Sequence, residues 1–400
     1  MGMAQDPGTY DPFALMGSSQ PEFSQEPNPY DPFGARVGSF LVYPSVASGY
    51  FYDSNVYATN EDEVSGNGIL TSPRLLIESD WNRHAVRVDL AGADYRYFGE
   101  SEANRTDYWL DTQAQIDVRA DFALLATATA ARRHEELGTT DSPEDAAEPV
   151  PYDSYKAGLA FIKSFNRLSV GVGARTEFYD YDDVQSLDGD PIDQDFRDGH
   201  THEIGGRVSY LLLPGHRVFA DARVNQRQHT ESDFDDSLGL NTTIGVEFVL
   251  TSLLRGEAGV GYLVQDYEDP DQETASGFSY NGNLIWSATP LMTLTVSGKR
   301  AVSDSAEPDT GSRIQSTFLA VLDYELRRNL LLKPRFEVVA DDFVDTSRHD
   351  LAYSPGIGIT YLLNRHVGFG VDYDFTEHGS SDPENEYTRH RVSAYAKAQF

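Results

Sequence analysis

Apolar and polar residues alternate along most of the chain from residue 38 onward, the pattern of β-strands with two unlike faces. Between residues 168 and 178, Leu, Val, Val, Ala, Thr and Phe hold the even positions, whereas Ser, Gly, Gly, Arg and Glu hold the odd ones. Eighteen such segments, about 10 to 15 residues long, are predicted. Their spans are 38–52, 66–80, 83–98, 107–119, 121–133, 153–164, 168–180, 200–212, 217–229, 237–250, 254–266, 275–287, 291–303, 313–326, 330–342, 349–362, 367–377 and 388–400.

The length of these segments separates a membrane barrel from a soluble sandwich. Strands of soluble proteins average five or six residues, whereas a tilted strand that crosses a hydrocarbon core needs about 9 to 11. Short and long connections also alternate, and an even strand number with short periplasmic turns and longer outer loops is typical of bacterial outer-membrane barrels. The sequence therefore predicts one closed antiparallel transmembrane β-barrel over residues 37–400, with both ends on the periplasmic side.

Composition and charge support this class and exclude others. The chain has 23 Tyr and 21 Phe at a mean hydropathy of −0.46, and interface girdles of a barrel use such residues. A net charge of −33 argues against a nucleic-acid partner, because phosphate contacts need clustered Lys and Arg. No basic and apolar leader opens the chain, so we expect a mature outer-membrane protein of a Gram-negative bacterium whose signal peptide is absent.

Residues 1–36 lack periodicity and predict a flexible periplasmic tail. The motif Tyr-Asp-Pro-Phe occurs twice in it, at residues 10–13 and 30–33. Each copy is either a docking motif for a periplasmic partner or a turn that pins the tail to the barrel rim. The tail, or the long connections 134–152 and 181–199, could also fold inward and narrow the lumen.

Two further features concern the strands themselves. Phe400 ends the last alternating segment and resembles the signal that the outer-membrane insertion machinery reads. Four prolines lie inside predicted strands, where they cannot donate to the hydrogen-bond ladder, so we expect bulges or weakened pairing there. These are Pro44, Pro73, Pro334 and Pro355.

Three stretches carry a family resemblance: residues 38–44 (Gly-Ser-Phe-Leu-Val-Tyr-Pro), 52–57 (Tyr-Asp-Ser-Asn-Val-Tyr) and 79–84 (Ser-Asp-Trp-Asn-Arg-His). They resemble the beta-barrel porin-2 family of outer-membrane proteins, found in alphaproteobacteria, some of whose members are encoded beside exopolysaccharide export genes. The resemblance implies an outer-membrane barrel and supplies no catalytic residue and no substrate.

Enzymatic motifs are absent from the sequence, so we expect no catalysis and no cofactor. Ser209, His202 and Asp221 could form a triad by residue type alone, but the pattern places His202 on the lipid side. The connection 181–199 is rich in aspartate, and its weak cation candidates are Asp188, Asp190, Asp193 and Asp195. Their spacing does not match an EF-hand, so we expect solvated loops near lipopolysaccharide and no metal site.

The candidate functional site is the lumen, because alternation turns one face of every strand inward. Charges of both signs share that face, either as cross-strand pairs that stiffen the wall or as a mixed-charge surface that tunes ion selectivity. The predicted lumen-lining residues are Arg87, Asp117, Arg119, Arg175, Glu177, Arg207, Asp221, Arg223, Arg255, Glu257, Lys299, Asp323, Glu325, Arg335 and Glu337.

These features favour a porin-like channel that passes hydrated solutes or saccharide. A narrower version is the exit barrel of an exopolysaccharide export system, with a periplasmic export protein as partner. The alternative is a structural barrel that the tail anchors to peptidoglycan or to a periplasmic partner. Outer-membrane lipid, lipopolysaccharide and the insertion machinery are expected partners in every case.

Overall fold

The computed structural model describes residues 12–16, 28–230, 236–306, 312–344 and 346–400, and these form one closed antiparallel barrel. Every predicted strand is present, and each end agrees with the prediction to within three residues. The barrel strands are β1 Phe40–Asp53, β2 Gly66–Ser79, β3 Ala85–Tyr97, β4 Arg105–Arg119, β5 Phe122–His134, β6 Pro151–Phe165, β7 Leu168–Tyr181, β8 Gly199–Leu213, β9 His216–His229, β10 Ser237–Thr251, β11 Leu254–Tyr267, β12 Ala275–Thr289, β13 Met292–Ser303, β14 Arg313–Arg327, β15 Leu330–Phe343, β16 His349–Leu362, β17 Val367–Ser380 and β18 Tyr387–Gln399.

Each strand pairs with its neighbours in the chain, and β18 closes the ring on β1. The closing register runs from Ser45 opposite Gln399 to Asp53 opposite Arg391. The part of β1 that extends beyond Gln399 is covered by the short strand Ala35–Val37, which pairs with residues 40–42. Short turns join the strands at one rim and long loops at the other, as the alternation of connection lengths predicts.

The outward face of the barrel is apolar and carries two aromatic belts. Ile244, in the middle of its strand, is 66% exposed, as expected of a side chain that faces lipid and not a protein core. The belt near the long-loop rim contains Tyr50, Tyr108, Tyr155, Phe178, Tyr262 and Phe278, and the belt near the short-turn rim contains Phe161, Phe165, Tyr210, Trp286, Tyr361 and Phe369.

The prolines weaken pairing without changing the register. The ladder between β2 and β3 is interrupted beside Pro73, that between β14 and β15 beside Pro334, and that between β16 and β17 beside Pro355. Pairing resumes in the same register beyond each gap. Pro44 lies at the β1–β18 seam, where its carbonyl accepts a hydrogen bond from the N–H of Phe400 at 3.1 Å. Bulges occur instead next to the short turns, for example between Leu211 and Leu213.

The described part of the N-terminal segment is attached to the barrel at two places. The side-chain amide of Asn28 donates to the carbonyl of Arg328 at 2.9 Å, at the short-turn rim. Phe33, from the second Tyr-Asp-Pro-Phe copy, is 74% exposed there and lies against the guanidinium of Arg365. Residues 12–16 contain the helical turn Pro12–Leu15 and lie inside the barrel, where Phe13 is buried. This part of the tail therefore folds into the lumen. Tyr10 and Asp11 lie outside the described residues.

None of the helices in the described ranges has the length and apolar character needed to span a membrane.

Candidate functional site

The inward face is identified by contacts that only a concave surface allows. Arg207 on β8 donates to Glu257 on β11 at 2.8 Å, three strands away around the ring. The strand registers put fourteen of the fifteen charged residues predicted to line the lumen on this same face, whereas a register shift next to the short turn pairs Arg119 with the outward-facing Phe122. Their part in selecting solutes stays a prediction.

Most of these charges are engaged in ion pairs across or along the wall. Arg207 is almost fully buried and contacts both Glu247 at 2.5 Å and Glu257. Arg335 donates to Asp374 at 2.8 Å, and Arg175 pairs with Glu177 at 2.9 Å. Because opposite charges compensate one another locally, much of the wall presents little net field to a passing solute.

The loop formed by residues 135–150, between β5 and β6, folds across the long-loop rim. Its first residues are held by Glu136, whose carboxylate contacts Arg105 on β4 and pairs with Arg391 on β18 at 2.5 Å. Arg391 and Arg389 also contact Asp53, which is completely buried. Three strands, β1, β4 and β18, and the loop thus share one cluster of charged side chains.

The middle of the same loop reaches the opposite part of the ring. The carbonyl of Thr140 accepts a hydrogen bond from Arg313 on β14 at 2.6 Å, and Thr140 donates to Asp341 on β15 at 2.8 Å. Glu144 contacts Arg348, next to β16. Because Glu136 and residues 140–144 are fixed to different parts of the ring, the loop crosses the barrel mouth and narrows it.

Electrostatics favour the docked state of this loop at neutral pH. Burial of Glu136 opposes its ionisation, but Arg105 and Arg391 outweigh that cost and hold the pKa of its carboxyl well below the ordinary range. Since the charged carboxylate is the form that binds the arginines, the clamp persists wherever Glu136 remains ionised.

A second constriction lies deeper in the lumen. Phe13 and Met16 are 3% and 9% exposed and pack on Leu125 and Ala160, which are equally buried. The guanidinium of Arg223 lies 4.8 Å from the centre of the Phe13 ring. Residues 12–16 are called the lumen segment below.

The part of the lumen face on β12, β13 and β14 is different in character. It is made mainly of neutral amide and hydroxyl side chains, and the lumen segment does not cover it. Asn283 and Lys299 are exposed there, and their neighbours are half-buried. This polar wall consists of Asn281, Asn283, Thr295, Ser297, Lys299 and Thr317.

The acidic connection between β7 and β8 brings together a different set of aspartates from the predicted one. Carboxylate oxygens of Asp183, Asp193 and Asp195 lie within 4.8 Å of one another. A small hairpin, Val184–Gln185 with Pro191–Ile192, places Asp188 and Asp190 at its tip, away from that group. Repulsion from Asp183 raises the pKa of Asp195, as expected of a group of uncompensated charges.

The conceivable catalytic triad is not assembled. His202 points outward, as predicted, and its Nδ1 hydrogen-bonds Thr176 at 2.9 Å, whereas Ser209 and Asp221 face the lumen. Phe400 is 55% exposed at the short-turn rim and stacks on His366. Its role as an insertion signal stays a prediction.

Sequence reasoning missed the charged residues that clamp the loop. Asp53, Arg389 and Arg391 lie at strand ends, and Glu136 lies in a loop, so alternation gave no reason to single them out. The available signal was the closing register, which places Arg391 directly opposite Asp53.

The closed barrel, its apolar outer belts and its polar lumen define a porin-like outer-membrane protein. The family described as "Putative beta-barrel porin 2" matches residues 28–400, so the chain belongs to this family. The resemblance seen in the first strands is therefore confirmed over nearly the whole chain.

Solved porin structures are similar at low sequence identity. A BenF-like porin from Pseudomonas fluorescens Pf-5 is 10% identical over 92% of this chain and 100% of that chain, with a TM-score of 0.46. Pseudomonas aeruginosa OpdK with vanillate is 10% identical over 90% and 99%, with a TM-score of 0.44. Acinetobacter baumannii OccAB3 is 12% identical over 90% and 99%, with a TM-score of 0.43. No curated protein matches the chain.

Proposed function

We propose that this barrel is a passive channel that passes hydrated, mainly neutral solutes such as saccharides across the outer membrane. The observation that carries the proposal is the polar wall. Amide and hydroxyl groups there replace water hydrogen bonds, and Lys299 is the single charged side chain among the six residues of this wall. An eighteen-stranded barrel is also wide enough to enclose an aqueous path.

The loop at 135–150 gives this channel its size limit. It is fixed by ion pairs at Glu136 and by Arg313 at Thr140, and its apolar side chains pack on Val184 of the neighbouring loop. Release of an exopolysaccharide chain would be the narrower form of the proposal, and it requires that this loop swing away from the lumen.

The test is a swelling assay with liposomes that contain the purified protein. The swelling rate measures how fast sugars of increasing size enter. We expect Asn283→Phe to slow sugar entry, because the phenylalanine ring would project from the polar wall into the lumen. Leu284→Phe is the matched control, since the strand registers place this neighbouring residue of β12 on the outward face. We expect it to behave as the original chain does.

Two results would contradict the channel. Folded protein that allows neither swelling nor ion conductance would favour a structural barrel anchored in the periplasm. Equal slowing by the Asn283 and Leu284 substitutions would show that the polar wall is not the path.

A further inference from the structure

We propose that residues 12–16 are an internal stopper, bound in a dedicated seat on the lumen wall, whose departure widens the path. This proposal rests on the proposed channel function. The seat is defined as the lumen-facing surface of β5 to β8 on which the segment lies. Its residues are Leu125, Gly158, Ala160, Gly171, Gly173 and Gly205.

The seat is unusual for the inside of a water-filled barrel, because the six residues that form it have neither charged nor hydrogen-bonding side chains, and Arg223 and Thr127 only border it. Leu125 and Ala160 would be wetted apolar groups without the segment, yet they are 4% and 0% exposed with it in place. Burying apolar surface is favourable in proportion to its area, so the seat and the segment stabilise each other. A lumen designed only for passage would have no need of an apolar patch.

The shape of the seat matches its occupant. A Cβ added at Gly171 would lie 2.7 Å from the sulfur of Met16, and one at Gly173 would lie 2.5 Å from its terminal methyl group. At Gly158 the added atom would lie 2.6 Å from Cγ of Pro12, and at Gly205 3.0 Å from the Phe13 ring. Four glycines on three strands therefore leave room for three side chains of one short segment.

The second copy of the motif provides an internal contrast. Phe33 has the same preceding residues as Phe13 but lies exposed at the short-turn rim against Arg365. At the position of Met16 it has Arg36, which cannot enter an apolar seat, and Ala35–Val37 is committed to pairing with β1. Only the first copy has the side chains that the seat fits.

The width of the lumen segment relative to the lumen determines how much of the path it blocks. Eighteen strands about 4.8 Å apart and tilted by about 40° give a backbone diameter of roughly 35 Å, and about 20 Å between side chains. A helical turn about 10 Å wide occupies about a quarter of that cross-section. The segment therefore narrows the lumen on the seat side and leaves the polar wall open. Its removal is expected to raise the conductance by about a third.

The experiment uses the absence of cysteine from the chain, which makes any introduced disulfide unambiguous. Cβ of Met16 lies 3.5 Å from the position of a Cβ at Gly171, within the range of a disulfide. The variants are Met16→Cys with Gly171→Cys, and a deletion of residues 1–27 that keeps Asn28 on the rim. Phe33→Ala is the matched control. Each is recorded as a single channel in a planar bilayer.

We expect the oxidised double variant to stay at the lower conductance level and the deletion to stay at the upper one. Phe33→Ala should match the original chain. Equal conductance of the deletion and the oxidised variant would overturn the stopper while leaving the channel intact. Excursions to the upper level in the fully oxidised variant would also overturn it. If no variant conducts, the proposed function fails as well.

Discussion

The seat on β5 to β8 and the polar wall on β12 to β14 belong to the same sheet and face the same lumen, but their side chains have different surroundings. On the seat, glycine and small apolar residues are buried beneath the lumen segment. On the polar wall, amides and hydroxyls remain accessible to water. A lumen face is therefore not one environment, and inward position alone does not identify the residues that meet a solute.

The largest expected effect is on the free energy of unfolding, which a paired lumen charge should affect more than an exposed one. Arg207→Ala would leave Glu247 and Glu257 facing each other without their shared cation, which we expect to cost about 3 kcal/mol in the free energy of unfolding. Lys299→Ala on the polar wall should change it by less than about 0.5 kcal/mol. Urea unfolding from lipid vesicles, followed by tryptophan fluorescence, measures both. Equal costs would show that the two sides are energetically alike.

Bulky residues should have opposite effects on the two regions. Gly171→Phe would fill the place of Met16 and expel the lumen segment, so conductance should rise. Asn283→Phe should lower conductance, because nothing is displaced and the path itself is filled. Single-channel recording compares the two variants directly. A decrease in both would mean that the segment does not leave its seat.

A smaller effect is expected on ion selectivity. Lys299→Gln removes an exposed charge from the open path and should shift the reversal potential in a salt gradient toward cation preference. Lys156→Gln should shift it less, because Lys156 already pairs with Glu177 at 3.5 Å on the covered side. If Lys156→Gln gives the larger shift, ions follow the seat side.

The smallest expected effect is that of mild acid on the mouth. The lowered pKa of Glu136 means that its clamp is fully present above the ordinary glutamate range, about pH 4.3, and is lost only as the pH falls well below it. Conductance of the original chain should therefore stay constant from pH 7 to pH 4. Glu136→Gln should conduct more already at pH 7. A rise in the original chain between pH 5 and pH 4 would contradict the clamp.

The fold could be predicted because alternation and connection length report directly on a barrel: each strand must separate lipid from water. The same parity predicted the inward charges, except at Arg119, where a bulge shifts the register. An inward course of the tail was expected, but the residues that occupy the lumen and their seat could not be predicted, since Phe13 and Met16 lie in a stretch without periodicity and the seat is made from four separate strands. The clamp on Glu136 likewise depends on ring closure, which joins residues more than 250 positions apart.

The interrupted ladders beside Pro73, Pro334 and Pro355 divide the ring mechanically. Fewer hydrogen-bonded pairs make these three lines compliant, although Lys333 with Asp323 and Ser354 with Thr376 bridge two of them by side chains. The ladder between β12 and β13 also ends early, at Asn281 opposite Lys299, so the polar wall lies on a fourth such line. The arc from β3 to β12 contains none and includes the seat, so lateral pressure from the membrane should deform the rest of the ring and leave the shape of the seat unchanged.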